Sequence, residues 1–457
     1  MYWNFSSLFQ KDTIAAIATP PGNGAIAIVR MSGEKALDIL QRVFSKDIKN
    51  ATTHTIHYGH IFDKDGQILD TTLVLFMQGP HTYTGETIIE INCHGGQVVT
   101  KNILQRLVEE GARPAQPGEF TYRAYKNGKI DLVQAEAIQE LIFAQNDKAL
   151  SSALHHLEGK LSQKIENWQK RLTETAAILE AWVDFPEEDL AFAPFEEIIE
   201  SIQVIMNEME LLIDTYHEGK KIQEGFHISL VGSPNVGKSS IMNLLLGKNR
   251  SIVTPIAGTT RDTIEEDLIL KGYHFHLKDT AGIRETEEII EQEGIKRAKI
   301  ALAQSDIILL VFDASRKFSE EDINLIKLCP KEKTIYLWNK MDLTQKPPET
   351  IQEKPLLFSA KNELGLQDLK NALLSFVENK KTSHKEEIYL THQRHKELLQ
   401  KAHHYCTLVL EGLKKKNSAE FVAFDMRFCL LSLSAITGGD VEEDILSSIF
   451  SQFCIGK

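Results

Sequence analysis

At 457 residues the chain is too long for one hydrophobic core, and its 42% hydrophobic and 25% charged content is that of a folded, water-soluble protein. No apolar run approaches the ~18 residues of a membrane span, the first residues lack the basic-then-apolar order of a signal peptide, and a net charge of −13 argues against a generally basic nucleic-acid-binding surface. The five cysteines (Cys93, Cys329, Cys406, Cys429, Cys454) are scattered without a C-x-x-C, which suits a reducing cytoplasm and neither a disulfide framework nor a zinc site.

Residues 1–120 carry short β-type runs at Ile14–Thr19, Ala25–Val29, Thr71–Phe76 and Ile88–Asn92, separated by turn residues such as Pro20–Gly24 and Asp63–Gly66. Helical stretches near 34–44 and 96–110 make this an α+β pattern. Residues 121–224 have almost no strand signal. Apolar residues recur there at helical steps (Leu154, Leu157, Leu161, Ile165, Trp168, Leu172), so long amphipathic helices are expected, interrupted by an acidic break between Pro186 and Pro194. Residues 225–378 alternate strand and helix, and 379–457 return to helix, with runs at Leu398–Leu413 and Phe421–Leu433. The economical reading is an α/β nucleotide domain inserted into a discontinuous helical domain.

The inserted segment opens with the predicted strand Phe226–Val231, then Gly232-Ser-Pro-Asn-Val-Gly-Lys-Ser239, then the helix-like Ser240–Leu246. This is G-x-x-x-x-G-K-[ST] in the strand–loop–helix setting that the motif requires. The glycines free successive N–H groups to turn toward phosphate oxygens. Lys238 supplies a point charge for the outer phosphates, and the Ser239 hydroxyl is a magnesium ligand candidate. The residues between and around these, Asn235, Val236, Gly237 and Ser240, complete the cradle.

Downstream, Asp279-Thr280-Ala281-Gly282 follows the predicted strand Tyr273–Leu277, placing a carboxylate near the magnesium shell and a backbone N–H near the γ-phosphate. Thr260, beside Thr259, stands where a second magnesium-ligating hydroxyl is needed. Asn339-Lys340-Met341-Asp342 follows the predicted strand Thr334–Trp338. In such a turn the aspartate accepts from guanine N1–H and the exocyclic amine, a donor pair that adenine lacks. Lys340 is expected along the base face, and Ser359-Ala360 suits backbone contact with guanine O6. Order and spacing together specify a GTPase. Ile283 occupies the position of the water-orienting glutamine of Ras-like enzymes, so another group must place the attacking water; Arg284, Glu285, Glu287, Glu288 and Glu291 follow it. His392-x-x-His395 and His155-His156 lack a third convergent ligand and read as solvated helix histidines.

The flanks carry further motifs: A-T-P-P-G (Ala18–Gly22), V-R-M-S-G (Val29–Gly33), T-G-E (Thr84–Glu86), H-G-G (His94–Gly96), R-P-A-Q-P-G-E-F (Arg113–Phe120), D-L-V-Q-A-E-A-I (Asp131–Ile138), T-T-R-D (Thr259–Asp262) and a terminal Cys454-Ile-Gly-Lys457. Over essentially its whole length the chain resembles the tRNA-modifying GTPase family MnmE, also called TrmE. The resemblance implies a multidomain fold: an N-terminal α+β folate-binding-like domain that also dimerises, a discontinuous helical domain, and an inserted Ras-like P-loop G domain. It implies a homodimer that works with a flavin-dependent MnmG (GidA)-like protein, as a heterotetramer or larger complex, to add a carboxymethylaminomethyl-type group at C5 of the wobble uridine of certain tRNAs. FAD enters only through that partner. A tetrahydrofolate derivative (5-formyl or 5,10-methylene form) would be the one-carbon donor. GTP hydrolysis would require Mg2+ and be stimulated by K+ as the G domains dimerise.

Residue by residue, the resemblance makes Asn235 a potassium ligand, with oxygens of Thr254, Ile256 and Thr259. The segment Thr254-Pro255-Ile256-Ala257-Gly258-Thr259 matches the loop that completes the potassium site and contacts GTP, K+ taking an arginine finger's role. Without the resemblance Asn235 reads as a turn residue. Glu291 matches the glutamate that orients the attacking water through a second water; its alternative is a surface helix charge. Arg30, Glu90, Lys129 and Lys457 would bind folate, a carboxylate suiting the pterin edge and the cations the glutamate tail. Cys454 lies beside that site as a catalytic candidate. Two other classes compete: a regulatory or ribosome-assembly GTPase that binds RNA without supporting modification, and a folate-dependent transferase with a merely structural G domain.

Overall fold

The computed structural model describes residues 12–184, 195–247, 265–279, 302, 305–344, 346, 355–378, 388–415 and 417–457. Two compact units emerge, one from Met1–Ile142, Leu154–Met209 and Glu397–Lys457, the other from Phe143–Ala153 and Glu210–Lys396.

The first unit holds a mixed sheet of β1 (Ile14–Ile17), β2 (Ile26–Ser32), β3 (Thr55–Phe62), β4 (Ile68–Met77), β5 (Ile88–His94) and the short β6 (Arg113–Pro114), in the order β3-β4-β5-β2-β1-β6. All neighbours are antiparallel except β1 and β6. Alternate residues Val29, Met31, Ile89, Ile91 and Cys93 point to one face, where the helices Ala36–Val43 and Gln97–Glu109 cover them with Ile39, Leu40, Ile103 and Leu107. The period-two pattern explains why β2 and β5 are legible in sequence. β3 was not expected: His57, Tyr58 and His60 break its apolar alternation, and Ile56 and Tyr58 are exposed.

The helical part of this unit is built on Lys160–Asp184, Phe195–Asp214, Gln393–Lys414, Ala419–Thr437 and Glu443–Phe450. The predicted stripe Leu161, Ile165, Trp168 and Leu172 is buried as expected. Leu154 is not part of it: the chain breaks at Gly159 (φ +80°) between Asp147–Leu157 and Lys160–Asp184, and Leu154 is left exposed. The histidine expectation also needs correction. His156 is buried, with Nδ1 3.1 Å from the equally buried Glu140, and in the second unit His395 is buried too. They are core polar groups with partners, because a helix position facing its neighbours is desolvated whatever its residue type.

In the second unit β7 (Phe226–Val231), β8 (Glu265–Leu270), β9 (Tyr273–Asp279), β10 (Ile307–Asp313), β11 (Thr334–Asn339) and β12 (Leu356–Leu357) form a sheet in the order β12-β11-β10-β7-β9-β8. It is parallel except for the β8–β9 hairpin. β10 is buried along its whole length, as a central parallel strand covered on both faces must be. Leu309, Val311 and Leu337 face one core; Ile308, Leu310, Phe312 and Trp338 face the other, where Phe318 stacks on Trp338. This is the mixed helix-and-sheet, P-loop architecture expected. The carboxyl ends of β7, β10 and β11 carry the loops described next.

Candidate functional site

The phosphate loop leaves β7 at Val231 and enters the helix Lys238–Leu246. Backbone demands explain its glycines. A Cβ at Gly232 would strike the Val311 carbonyl, and Gly237 has φ +97° with no room beside the Asn339 side-chain amide. Asn235 is left-handed at φ 60° and exposed, a conformation Asn tolerates better than most residues. No side chain caps the helix at Gly237. Ser239 and Ser240 lie exposed in its first turn. Lys238 is mostly buried, and its Nζ donates to the Gly232 carbonyl (2.8 Å) and the Ser233 carbonyl (3.0 Å), curling back over the loop.

The base-side motif is physically tied to this loop. Buried Asn339 donates from Nδ2 to the Val236 carbonyl (2.8 Å) and accepts at Oδ1 from the Ala360 N–H (3.1 Å). Ser359 Oγ donates to Asp342 Oδ1 (2.6 Å), and the exposed Asp342 carboxyl is held below its ordinary value chiefly by that bond. Lys340, at φ 67°, places Nζ 2.7 Å from Asp313 Oδ2. Burial pushes the Asp313 carboxyl up, but Lys340 and Ser315 outweigh it and bring it below the usual range. The structure thus brings Asn235, Val236, Gly237, Lys238, Asn339, Lys340, Asp342, Ser359 and Ala360 into one hydrogen-bonded region.

Two participants were not anticipated. Asp313, at the end of β10 directly opposite Asn339, anchors Lys340. Asp322, almost wholly buried, accepts from Ser233 Oγ (2.5 Å), Ser319 N–H (2.9 Å), Ser319 Oγ (2.8 Å) and Arg316 (2.8 Å). The strand–turn signal Phe312-Asp-Ala-Ser315 and the capping pattern Ser319-x-x-Asp322 were their only traces in the sequence. Asp279 ends β9 in register with Leu230 of β7, which puts its backbone beside the strand that feeds the phosphate loop. Thr254, Pro255, Ile256, Ala257, Gly258, Thr259, Thr260, Thr280, Ala281, Gly282, Ile283 and Glu291 lie outside the described residues.

In the first unit Arg30 and Glu90 are directly paired across β2 and β5 and joined by two short contacts (2.7 and 2.6 Å). Arg30 also donates to the Gly456 carbonyl (3.1 Å), and its guanidinium lies 5.6 Å from the Phe120 ring centroid. The C-terminus is seated against this pair because Gly456, at φ +92°, passes within Cβ-excluding distance of Ala18. Burial and the nearby Arg30 lower the Lys457 ammonium, and Glu90 only partly offsets them. Cys454 is exposed one turn away, its carbonyl accepting from Gly118 and Lys457 N–H. Glu90 Oε2 carries no hydrogen bond among the described residues. The cluster gathers one carboxylate, Glu90, and two cationic side chains, Arg30 and Lys457, at one end of β2 and β5. Lys129 is tied to a different segment, with Nζ donating to the Pro80 carbonyl (3.1 Å).

The flanking motifs have structural roles as well. Arg113 and Arg123 bridge Asp12, Glu119 and Glu86, with Glu119 wholly buried, so T-G-E and R-P-A-Q-P-G-E-F meet in one ion network.

Comparison with known proteins agrees with this layout. A family model described as the MnmE helical domain matches residues 132–454, and one described as the GTP-binding protein TrmE N-terminus matches 13–129. The chain is 49% identical over 451 residues to the tRNA modification GTPase MnmE of Protochlamydia amoebophila, covering 98% of each chain. It is 42% identical to that of Chlamydia caviae over 98% of this chain and 100% of the relative, and 42% identical to that of Enterococcus faecalis over 99% and 100%. The chain belongs to the tRNA modification GTPase MnmE family.

Proposed function

We propose that this chain hydrolyses GTP in a K+-stimulated cycle, driven by G-domain dimerisation, that supports modification at C5 of the wobble uridine of tRNA together with an MnmG-like flavoprotein. The observation that carries the GTP reading is the tie of Asn339 to both Val236 and Ala360, which joins the guanine turn to the phosphate loop. In this reading the Lys238 ammonium leaves its two loop carbonyls for the outer phosphate oxygens, and N–H groups of the loop and helix start donate to the remaining phosphate oxygens. Asp342 and the Ala360 N–H address the base. Ser239 and Thr260 hold Mg2+, which neutralises phosphate charge; Asn235 with Thr254, Ile256 and Thr259 holds K+, which supplies positive charge beside the transferred phosphoryl group. Glu291 orients water.

Arg30, Glu90 and Lys457 would receive the folate, with Lys129 at its periphery and Cys454 near the reacting carbon; the folate supplies the one-carbon unit. FAD belongs to the partner. The homodimer and the cytoplasmic location belong to the same reading.

The test is GTP turnover with K+ replaced by Na+ at equal ionic strength, for the wild type and Asn235→Ala. Faster turnover in K+, lost in the variant with GTP binding retained, is expected; equal rates in both salts sink the potassium assignment. Nucleoside analysis of tRNA from cells lacking the protein should reveal altered wobble uridine, and unaltered uridine would favour a purely regulatory GTPase.

A further inference from the structure

The β8 edge of the G-domain sheet carries a second group of ligating side chains, unrelated to the phosphate loop. Strand register builds it. Tyr273, Phe275 and Leu277 of β9 point into the core, so His274 and His276 share the other face. Asp267 of β8 is the direct partner of His276 on one side, and His227 of β7 on the other. The His227 and His276 rings stack at 4.9 Å, and the His274 and His276 centroids are 4.2 Å apart. One donor atom from each of Asp267, His274 and His276 lies within 4.8 Å of the others.

The hydrogen-bond geometry asks for a positive charge at this point. His276 Nδ1 is 2.8 Å from Asp267 Oδ1, and its Nε2 is 2.9 Å from the Glu224 carbonyl. A neutral imidazole has a single N–H. With oxygen acceptors at both nitrogens, either the ring is doubly protonated or a cation stands between Nδ1 and the carboxylate. His274 is buried, its Nε2 is 3.2 Å from the same Asp267 oxygen, and its Nδ1 has no partner among the described residues. Gly225 lets the backbone lie against the His276 ring, since a Cβ there would come 2.9 Å from Nε2.

We propose that Asp267, His274 and His276 bind one divalent transition-metal ion of the zinc class, through a carboxylate oxygen, Nε2 of His274 and Nδ1 of His276. Two imidazoles and a carboxylate form a donor set for Zn2+, Co2+ or Ni2+ rather than Mg2+ or Ca2+. Tetrahedral bonds of this class place donors roughly 3.3 Å apart, so the observed 2.8 and 3.2 Å separations need only a small outward movement. The Glu224 carbonyl, accepting from Nε2–H, would fix the His276 tautomer with Nδ1 facing the metal, the usual arrangement around a metal-bound imidazole. The fourth position opens to water, and the bound ion cross-links β8 to β9.

The experiment uses the full chain, stripped of metal by a chelator and free of nucleotide, titrated with Co2+ and followed by its visible tetrahedral absorption, then displaced by Zn2+. One equivalent should give the absorption, with release of protons, and Zn2+ should raise the melting temperature. In His276→Gln and in Asp267→Asn the affinity should fall at least about tenfold, while circular dichroism and GTP binding report an intact fold. If one variant fails to fold, the other decides. Absence of the Co2+ absorption in the wild type, or equal binding in wild type and a folded variant, overturns the site.

Discussion

Asn339 donates its side-chain amide to the Val236 carbonyl at 2.8 Å, so the first residue of the guanine turn is also a strut under the phosphate loop. The Asn339–Asp342 turn and the Gly232–Ser239 loop are one hydrogen-bonded body. Asn339→Ala leaves the Val236 carbonyl and the Ala360 N–H unpaired in a buried place, a cost of about 2–4 kcal/mol. The expected outcome is a lower melting temperature together with weakened binding of GTP and GDP alike. Calorimetry and nucleotide titration on the same preparation check it; an unchanged melting temperature contradicts the strut.

Ser359 acts one step away from the base. Its hydroxyl donates to Asp342 Oδ1, which orients the carboxylate that is proposed to meet guanine. Ser359→Ala should weaken GTP binding by roughly tenfold, one hydrogen bond's worth, without improving ATP binding. Asp342→Asn should do something different: its amide can donate to the extra carbonyl of xanthine, so affinity shifts from GTP toward XTP. Competition titrations with the three nucleotides separate the two effects.

How much of this was legible beforehand depends on which physical signal each feature leaves. The apolar runs of β7, β9 and β11 and the fixed motif spacings are local, so the Gly232–Ser239 loop and the Asn339–Asp342 turn could be set at strand ends from sequence, and the strand Phe226–Val231 has the expected bounds. Asp313 and Asp322 were missed because their partners, Lys340 and Ser233, are 27 and 89 residues away. The His227–His276–Asp267 row was invisible for the same reason: it exists only through the register of three strands. His156 and His395 were misread as solvated because a helix face is buried by elements distant in sequence, which periodicity alone does not reveal.

The cysteines differ sharply in environment. Burial pushes the Cys93 and Cys329 thiols up to about 11. Cys429, 3.3 Å from Cys406 Sγ, is raised chiefly by that contact and then by burial. Cys454 is exposed. A thiolate-directed reagent at neutral pH should therefore label the native chain rapidly at one position, and Cys454→Ser should abolish the fast phase. Mass mapping of the labelled site checks this. Slowing of the fast phase by a tetrahydrofolate derivative would place the ligand near Cys454.

Asp322 gathers four donors while nearly excluded from water. Burial pushes its carboxyl up, but hydrogen bonds from Ser233, Ser319 and Arg316 outweigh that and leave it below the ordinary value. Asp12, clamped by Arg113 and Arg123, shows the same balance. For both groups the folded carboxyl is the stronger acid, so the folded state gains stability above the unfolded value of about 3.9 and loses it as pH falls toward the folded one. Stability should be insensitive to these groups between neutrality and about pH 5, and decline below about pH 4. Asp322→Ala leaves Arg316 and Ser233 without their acceptor and should destabilise the G domain by about 3 kcal/mol at neutral pH, with a smaller penalty in acid, where the wild-type carboxyl is itself protonated. Denaturant titrations of wild type and variant at neutral and acid pH measure the difference; a penalty that does not shrink in acid would show that the Asp322 carboxylate charge contributes nothing to holding the phosphate loop.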